Sequence, residues 1–232
     1  MSPALRSYGK RPGKVQRFAA VLAIAFGAWV AQPMPDRAAA AERPIRIVVL
    51  GDSLTAGYQL PDSTAFPAQL ERALKAKGLA VEVVNAGVSG DTSAGGLGRL
   101  DWSVPEGTDA VILELGANDM LRGIEPKVTR AALEKIVSRL RARGIEVLLC
   151  GMLAPPNMGQ DYARAFDAIY PELAAASDVV FYPFFLDGIF DDRKLKQSDG
   201  LHPTAEGVAA IVARILPKVQ ELLARVRAKP AT

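Results

Sequence analysis

"IRIVVLGDSLTAGYQL", residues 45–60, joins an apolar run at 45–50 to a Gly-Asp-Ser turn. A short run in which nearly every residue is apolar, and many are β-branched, is typical of a parallel strand covered on both faces. Four further runs of this kind follow along the chain, at 80–85, 109–115, 145–150 and 178–184. The sequence therefore predicts five strands, each with helices packed on both sides.

Helical patterns separate these runs. Two of them, at 65–78 and 129–144, end on a glycine, which is a common stop signal for a helix. A third, at 161–176, contains Pro171, which predicts a kink or a division. The last, at about 204–227, has the apolar spacing of a helix laid against a sheet, at Val208, Ile211, Val212, Ile215, Val219, Leu222, Leu223 and Val226. Alternating strands and helices predict a three-layer α/β/α sandwich with a mainly parallel five-stranded sheet.

The first forty residues do not fit this pattern. Five basic residues precede the apolar run 18–31, and a small-residue stretch follows at 38–41. A basic region, a short apolar region and small residues together are typical of a secretory signal, and the run is shorter than the roughly 20 residues of a membrane-spanning helix. We therefore expect a signal peptide at 1–41, a single domain at 42–232, and a periplasmic or secreted location. A retained N-terminal anchor is the alternative.

The composition of the expected mature chain excludes one class of partner. The whole chain has 28 basic and 25 acidic side chains, but six of the basic and only one of the acidic side chains lie in 1–41. The mature chain is then slightly acidic, so no nucleic-acid partner is expected. The single cysteine, Cys150, ends an apolar run and is interpreted as a small buried residue.

Polar residues gather where the predicted strands end, which is where ligands bind in such sheets. The first strand is followed by Ser53, and His202, the only histidine of the chain, lies in "DGLHP" before the last helix. Asp199 precedes His202 by three residues, so that one turn would place its carboxylate beside the imidazole. A carboxylate there can fix the imidazole tautomer and leave the other ring nitrogen to accept the proton of a serine hydroxyl. Ser53, His202 and Asp199 are therefore candidates for nucleophile, general base and orienting acid.

An acyl-transfer site also needs donors for the developing oxyanion. Gly90 follows the second strand and lacks a side chain, so its backbone N–H can approach a substrate closely. Asn118 follows the third strand and carries an amide, and the backbone N–H of Ser53 is the third candidate. Taken singly, Gly90 and Asn118 are equally well explained as turn residues.

Four blocks in order along the chain resemble the SGNH or GDSL hydrolases. The blocks are "VVLGDSLTAGY", "NAGVSGDTS", "ELGANDMLRG" and "SDGLHPTAEG", and they lie within residues 45–208. "SGDTSAGGLGRL", "GANDMLRG" and "AIYPELA" are most similar to the thioesterase I, protease I and lysophospholipase L1 group, often called arylesterases. A G-x-S-x-G elbow, the signature of the α/β-hydrolases, is absent at Ser53.

The resemblance implies the flavodoxin-like SGNH hydrolase fold and a serine esterase that acts on small-molecule acyl esters, with thioesters as a further possible substrate class. It implies Ser53 as nucleophile, His202 as base, Asp199 as its partner, and Ser53, Gly90 and Asn118 as the oxyanion hole. It implies neither a metal nor an organic cofactor, because the protein supplies every reacting group. The loops at 119–124 and 152–162 are expected to shape the acyl pocket.

Two alternatives stay open at this point. A carbohydrate O-acetylesterase would use the same framework with a shallow, polar site. A non-catalytic flavodoxin-like ligand-binding domain would need a phosphate-binding turn after the first strand, where Asp52 instead places a negative charge.

Overall fold

The computed structural model describes residues 43–229, so the predicted signal peptide at 1–41 lies outside the described residues. Five strands form one parallel sheet in the order β2-β1-β3-β4-β5. The strands are β1 (Ile45–Gly51), β2 (Val81–Gly87), β3 (Ala110–Glu114), β4 (Glu146–Cys150) and β5 (Val180–Tyr182). The predicted runs thus all form strands, with ends that differ from the prediction by up to a few residues.

Helices cover the sheet in two groups, one in which α2 packs on α9 and one in which α6 packs on α3 and α8. This is the three-layer α/β/α arrangement that the sequence predicts. The helices are α1 (Ser53–Ala56), α2 (Phe66–Ala76), α3 (Ser93–Gly98), α4 (Leu100–Ser103), α5 (Ala117–Leu121), α6 (Pro126–Ala142), α7 (Gln160–Asp167), α8 (Ile169–Ser177) and α9 (Ala205–Ala228). Short 3₁₀ turns occur at Asp62–Thr64, Pro156–Met158 and Arg193–Leu195.

The prediction that every strand is covered on both faces is wrong for β2. This strand lies at the edge of the sheet and pairs with β1 alone. Of its seven residues, only Val81 is fully buried, whereas every residue of β3 and β4 is buried. An apolar run indicates burial in general, but the position of a strand in the sheet depends on contacts that its own sequence does not contain.

The two helix predictions that carried detail are confirmed. The pattern at 161–176 divides at Ala168 into α7 and α8, and Pro171 lies in the first turn of α8, where its missing N–H costs no helical hydrogen bond. In α9, seven of the eight predicted apolar positions are buried, and Val226 is partly buried against them.

Cys150 is buried at the end of β4, and burial raises the pKa of its thiol well above the usual range. None of the helices between residues 43 and 229 combines the length and apolarity needed to span a bilayer.

The register of the sheet aligns the strand ends that carry the candidate residues. Gly51, the last residue of β1, pairs with Gly87 on one side and with Glu114 on the other. The loops that leave β1, β2 and β3 therefore begin at the same level of the sheet. Arg99 connects two of them, because its guanidinium donates to the carbonyl oxygens of Gly51 (2.9 Å) and Ala86 (2.6 Å).

Candidate active site

Ser53 is the first residue of the one-turn helix α1, directly after β1. Asp52 caps this helix, since its Oδ1 accepts a hydrogen bond of 2.9 Å from Leu54 N. The turn is tight: a Cβ at Gly51 would lie 2.2 Å from Thr55 Oγ1 and 2.8 Å from the carbonyl oxygen of Glu114. Glycine is therefore required at position 51 for the chain to turn from the strand into the helix that presents Ser53.

His202 lies in the loop before α9 and connects Ser53 to Asp199. Its Nε2 is 2.8 Å from Ser53 Oγ, and its Nδ1 is 2.6 Å from Asp199 Oδ2. The other oxygen of Asp199 accepts backbone hydrogen bonds from His202 (3.0 Å) and Leu201 (2.9 Å), which fixes the carboxylate relative to the ring. The ring of Tyr58 lies against the imidazole with a centroid distance of 4.4 Å. The three candidate residues are thus brought together in one hydrogen-bonded chain.

The ionisation of Asp199 determines which proton moves along this chain. Partial burial disfavours its charged form, but hydrogen bonds from Leu201 and His202 outweigh that effect and lower the pKa of Asp199 to about 2. An ionised Asp199 accepts a hydrogen bond from the Nδ1–H group, which leaves Nε2 unprotonated and able to take the hydroxyl proton of Ser53. The arrangement can therefore activate Ser53 as a nucleophile and stabilise the imidazolium that results.

Gly90 and Asn118 line the same cavity as Ser53 and His202. Gly90 has a φ of 84°, a left-handed conformation that favours glycine, and its carbonyl oxygen accepts a 2.7 Å hydrogen bond from the guanidinium of Arg122. Asn118 lies on α5 and donates one amide N–H to Asp52 Oδ2 over 3.0 Å. The structure therefore places Ser53, Gly90 and Asn118, the three predicted oxyanion donors, at one cavity.

A buried carboxylate on α5, Asp119, anchors the helix that carries Asn118 to its neighbours. Asp119 accepts hydrogen bonds from the backbone N of Ser93 (2.8 Å), from Ser93 Oγ (2.5 Å) and from Thr129 Oγ1 (3.0 Å). These bonds tie α5 to α3 and α6, so the backbone at Asn118 is held by the helical layer and not only by its own loop.

The cavity beside Ser53 has a volume of about 620 Å³ and is lined mainly by apolar side chains. The two loops that were expected to shape an acyl pocket both line this cavity, one through Met120 and Leu121 and the other through Met152, Leu153 and Pro155. A third segment, which the sequence did not predict, also lines the cavity through Phe184, Leu186 and Phe190. The aromatic cluster in "FYPFFLDGIF", 181–190, was the available signal, but its first part was read as strand.

A second feature that the sequence analysis missed is a pair of buried carboxyls behind the cavity. Asp52 and Glu114 are 0% and 1% exposed, and the backbone N–H of Asp52 donates to Glu114 Oε2 over 3.4 Å. Glu114 was read as one residue of an apolar strand, and Asp52 as part of a turn. Residues 43–229 contain no group of three or more His, Cys, Asp or Glu side chains placed to hold a metal ion.

Comparison with known proteins agrees with this geometry. Residues 49–210 match the GDSL-like Lipase/Acylhydrolase family. The chain is 41% identical over 184 residues to an arylesterase of Vibrio mimicus, with 78% of this chain and 92% of the relative covered. It is 39% identical over 188 residues to thioesterase 1/protease 1/lysophospholipase L1 of Escherichia coli (strain K12), with 81% and 88% covered.

Solved structures are similar over the same region. AlinE4, an SGNH-hydrolase family esterase, superposes with a TM-score of 0.66 at 43% identity and covers 82% of this chain and 98% of its own. The psychrotrophic esterase EstA from Pseudoalteromonas sp., in a structure inhibited by monoethylphosphonate, gives a TM-score of 0.73 at 30% identity and covers 77% and 98%. With relatives of this kind over most of its length, the chain belongs to the GDSL-like lipase/acylhydrolase family, the SGNH hydrolases, and is an ester-hydrolysing enzyme.

Proposed function

We propose that this enzyme is a secreted serine esterase that cleaves acyl and aryl esters, and thioesters, by a covalent acyl-enzyme route. The observation that carries the proposal is the hydrogen-bonded chain from Ser53 Oγ through the imidazole of His202 to Asp199, with distances of 2.8 and 2.6 Å. Ser53 and His202 both line the cavity with apolar walls, so the nucleophile and the base lie beside the proposed acyl site.

In the acylation step, Ser53 Oγ attacks the carbonyl carbon of the ester while His202 Nε2 takes the hydroxyl proton. The carbonyl oxygen becomes an oxyanion, for which the backbone N–H groups of Ser53 and Gly90 and the amide of Asn118 are the donors. When the intermediate collapses, the bond to the leaving alcohol or thiol breaks, and the leaving group takes the proton from His202. Water then attacks the carbonyl carbon of the acyl-enzyme while His202 Nε2 takes one of its protons. The bond to Ser53 Oγ breaks, Oγ takes the proton back from His202, and the carboxylic acid is released.

The cavity supports an acyl substrate over the alternative of an O-acetylated carbohydrate. An acetyl group is much smaller than a 620 Å³ space. Most of the wall is apolar, although Ser89, Asp191 and Lys196 also line the cavity, so an acyl chain would find more partners there than a sugar would. The non-catalytic alternative is set aside, because the chain belongs to a family of ester hydrolases.

The chain-length dependence of hydrolysis tests this choice. We expect kcat/KM for p-nitrophenyl octanoate to exceed that for the acetate by at least about tenfold, because each buried methylene contributes about 0.8 kcal/mol. Phe190→Ala should reduce this preference and leave acetate hydrolysis close to that of the wild type, since Phe190 lines the cavity and is 46% exposed. Trp102→Ala is the matched control, an aromatic side chain that is 73% exposed and does not line the cavity. Faster hydrolysis of the acetate than of the octanoate would support the acetylesterase instead.

We also propose that residues 1–41 are a signal peptide that is removed when the enzyme leaves the cytoplasm. Cleavage near Ala41 would spare the sheet, because the first strand begins only at Ile45. Intact-mass analysis of the protein from its native host should give an N-terminus within a few residues of Glu42. A mass that includes residues 1–41, found in the membrane fraction, would instead identify the segment as an anchor.

A further inference from the structure

The buried carboxyls of Asp52 and Glu114 have no role in the steps above, although they lie directly behind the reacting groups. They stand at the ends of two neighbouring strands, because Gly51 pairs with Glu114 across the sheet. Two nearby side chains that can carry positive charge, Arg99 and His202, are paired with other carboxylates, Asp91 and Asp199. Two negative charges at buried positions, where the dielectric constant is low and no cation lies between them, repel each other strongly.

The hydrogen bonds of the pair are unequal. Both oxygens of Asp52 accept, Oδ1 from Leu54 N at 2.9 Å and Oδ2 from Asn118 Nδ2 at 3.0 Å. Glu114 Oε2 accepts one long bond of 3.4 Å from Asp52 N, and Glu114 Oε1 is buried without a partner among the described residues. Donors stabilise a carboxylate, so the negative charge belongs on Asp52 and the proton on Glu114.

The pKa values of the two groups agree with this assignment in direction. Burial raises the pKa of Asp52 to about 6, although the bonds from Leu54 and Asn118 favour its ionised form. Burial, together with the charge of Asp52, raises the pKa of Glu114 well above its usual range. Other titratable or charged side chains lie around the pair, from the sheet, the helices and the loop before α9; they are Cys150, Arg99, Asp119, Tyr170 and His202.

An ionised Asp52 has two effects on the site. It requires Asn118 to turn its amide nitrogen, and not its amide oxygen, toward the carboxylate, so that the amide is held in a fixed orientation. It also caps the helix whose first residue is Ser53. Asp52 thus contacts two of the three proposed oxyanion elements from behind, where no substrate reaches.

We propose that Asp52 and Glu114 are positioning residues that carry one proton between them. Glu114 is protonated, and the ionised Asp52 holds Asn118 in the orientation that donates to the oxyanion. The inference rests on the proposed role of Asn118 for its kinetic consequence, but the location of the proton is independent of that role.

The location of the proton is measured by ¹³C NMR on the whole enzyme with glutamate labelled at the carboxyl carbon. The resonance of Glu114 is identified as the one that disappears in Glu114→Gln. We expect it to keep the chemical shift of a protonated acid at pH 7, while the exposed glutamates titrate near the ordinary value of about 4.3. A Glu114 resonance that titrates with the exposed glutamates would overturn the proposal, whatever the enzyme hydrolyses.

Thermal unfolding gives a second measurement of the same proton. If Glu114 is protonated in the folded state and ionised in the unfolded state, wild-type stability falls as pH rises above the unfolded pKa of about 4.3. Glu114→Gln removes this loss. The Tm of the variant minus that of the wild type should therefore increase between pH 5 and 8, by about 3 °C for each pH unit. A difference that is constant over this range would contradict a protonated Glu114.

A double-mutant cycle tests whether Asp52 acts through Asn118. Asn118→Ala alone and Asp52→Asn alone should each lower kcat by about 10²-fold with little change in KM, because the donor acts mainly on the transition state. In the Asn118→Ala background, adding Asp52→Asn should lower kcat by a further factor of less than about three, since the amide that Asp52 positions is gone. Two losses that multiply would show that Asp52 acts on something other than Asn118. If neither variant lost activity, the proposed oxyanion role would fail, and the NMR result would still stand.

Discussion

Replacing Ser53 by alanine is expected to lower kcat for ester hydrolysis by about 10⁴-fold or more, which is the usual effect of losing the nucleophile of a serine triad. Ser53 is only 9% exposed and its hydroxyl bonds to His202; since the substitution removes one oxygen, we expect the fold to be unchanged. The rate is measured with p-nitrophenyl esters, and circular dichroism confirms that the variant is folded.

Ser89 provides the matched control for this experiment. It lines the same cavity, but its hydroxyl has no hydrogen bond to His202. Ser89→Ala should keep kcat within about threefold of the wild type, as expected for a surface substitution outside the reacting set. A folded Ser53→Ala protein with a near-native rate would remove the basis of the proposed mechanism.

His202→Ala should produce a loss of similar size, about 10⁴-fold in kcat, because His202 is the only histidine of the chain and no other imidazole can replace it. Added imidazole should restore part of the activity of His202→Ala and none of that of Ser53→Ala. Asp199→Asn should cost less, since Asp199 orients the base and does not react.

The pKa of Asp199 determines how these losses depend on pH. Because that pKa is lowered to about 2, the carboxylate persists at every pH above about 3, and its protonation does not limit the rate in the usual assay range. The pH profile of kcat for the wild type between about pH 6 and 9 should therefore contain no step that comes from Asp199. For the preceding prediction, a His202→Ala variant that hydrolyses esters at the rate of the wild type would refute the assignment of His202 as the base.

The sequence predicts where Ser53, Gly90 and Asn118 lie because each follows an apolar run within a few residues, whereas His202 is separated from the fifth run by a loop. Ser53 comes two residues after Gly51, which ends β1, and His202 is unique in the chain. In a parallel sheet such positions meet at one edge, so the motif order and the strand pattern together bring Ser53, Gly90, Asn118 and His202 to one place. In the structure His202 lies within hydrogen-bond distance of both Ser53 and Asp199, and the catalytic roles of the three residues stay a prediction.

Other features depend on long-range contacts that no local pattern reveals. Glu114 lies in "AVILE", where one acid in an apolar strand gives no indication of which side chain it will face. Asp52 is separated from it by 62 residues, and only the pairing of β1 with β3 brings them together. For the same reason the edge position of β2 and the contribution of Phe184 and Phe190 to the cavity were not predicted.

The central claim, that Ser53 is a nucleophile activated by His202, is tested most directly by covalent labelling. The enzyme is incubated with an aryl alkylphosphonate ester, a reagent that phosphonylates activated serines by displacement of the aryl alcohol, and the intact mass is then measured. We predict one adduct per chain, located on the peptide that contains Ser53, together with complete loss of esterase activity. His202→Ala should label far more slowly, and Ser53→Ala should not label at all. An adduct on another residue, or an inactivated enzyme with an unmodified Ser53, would contradict the account.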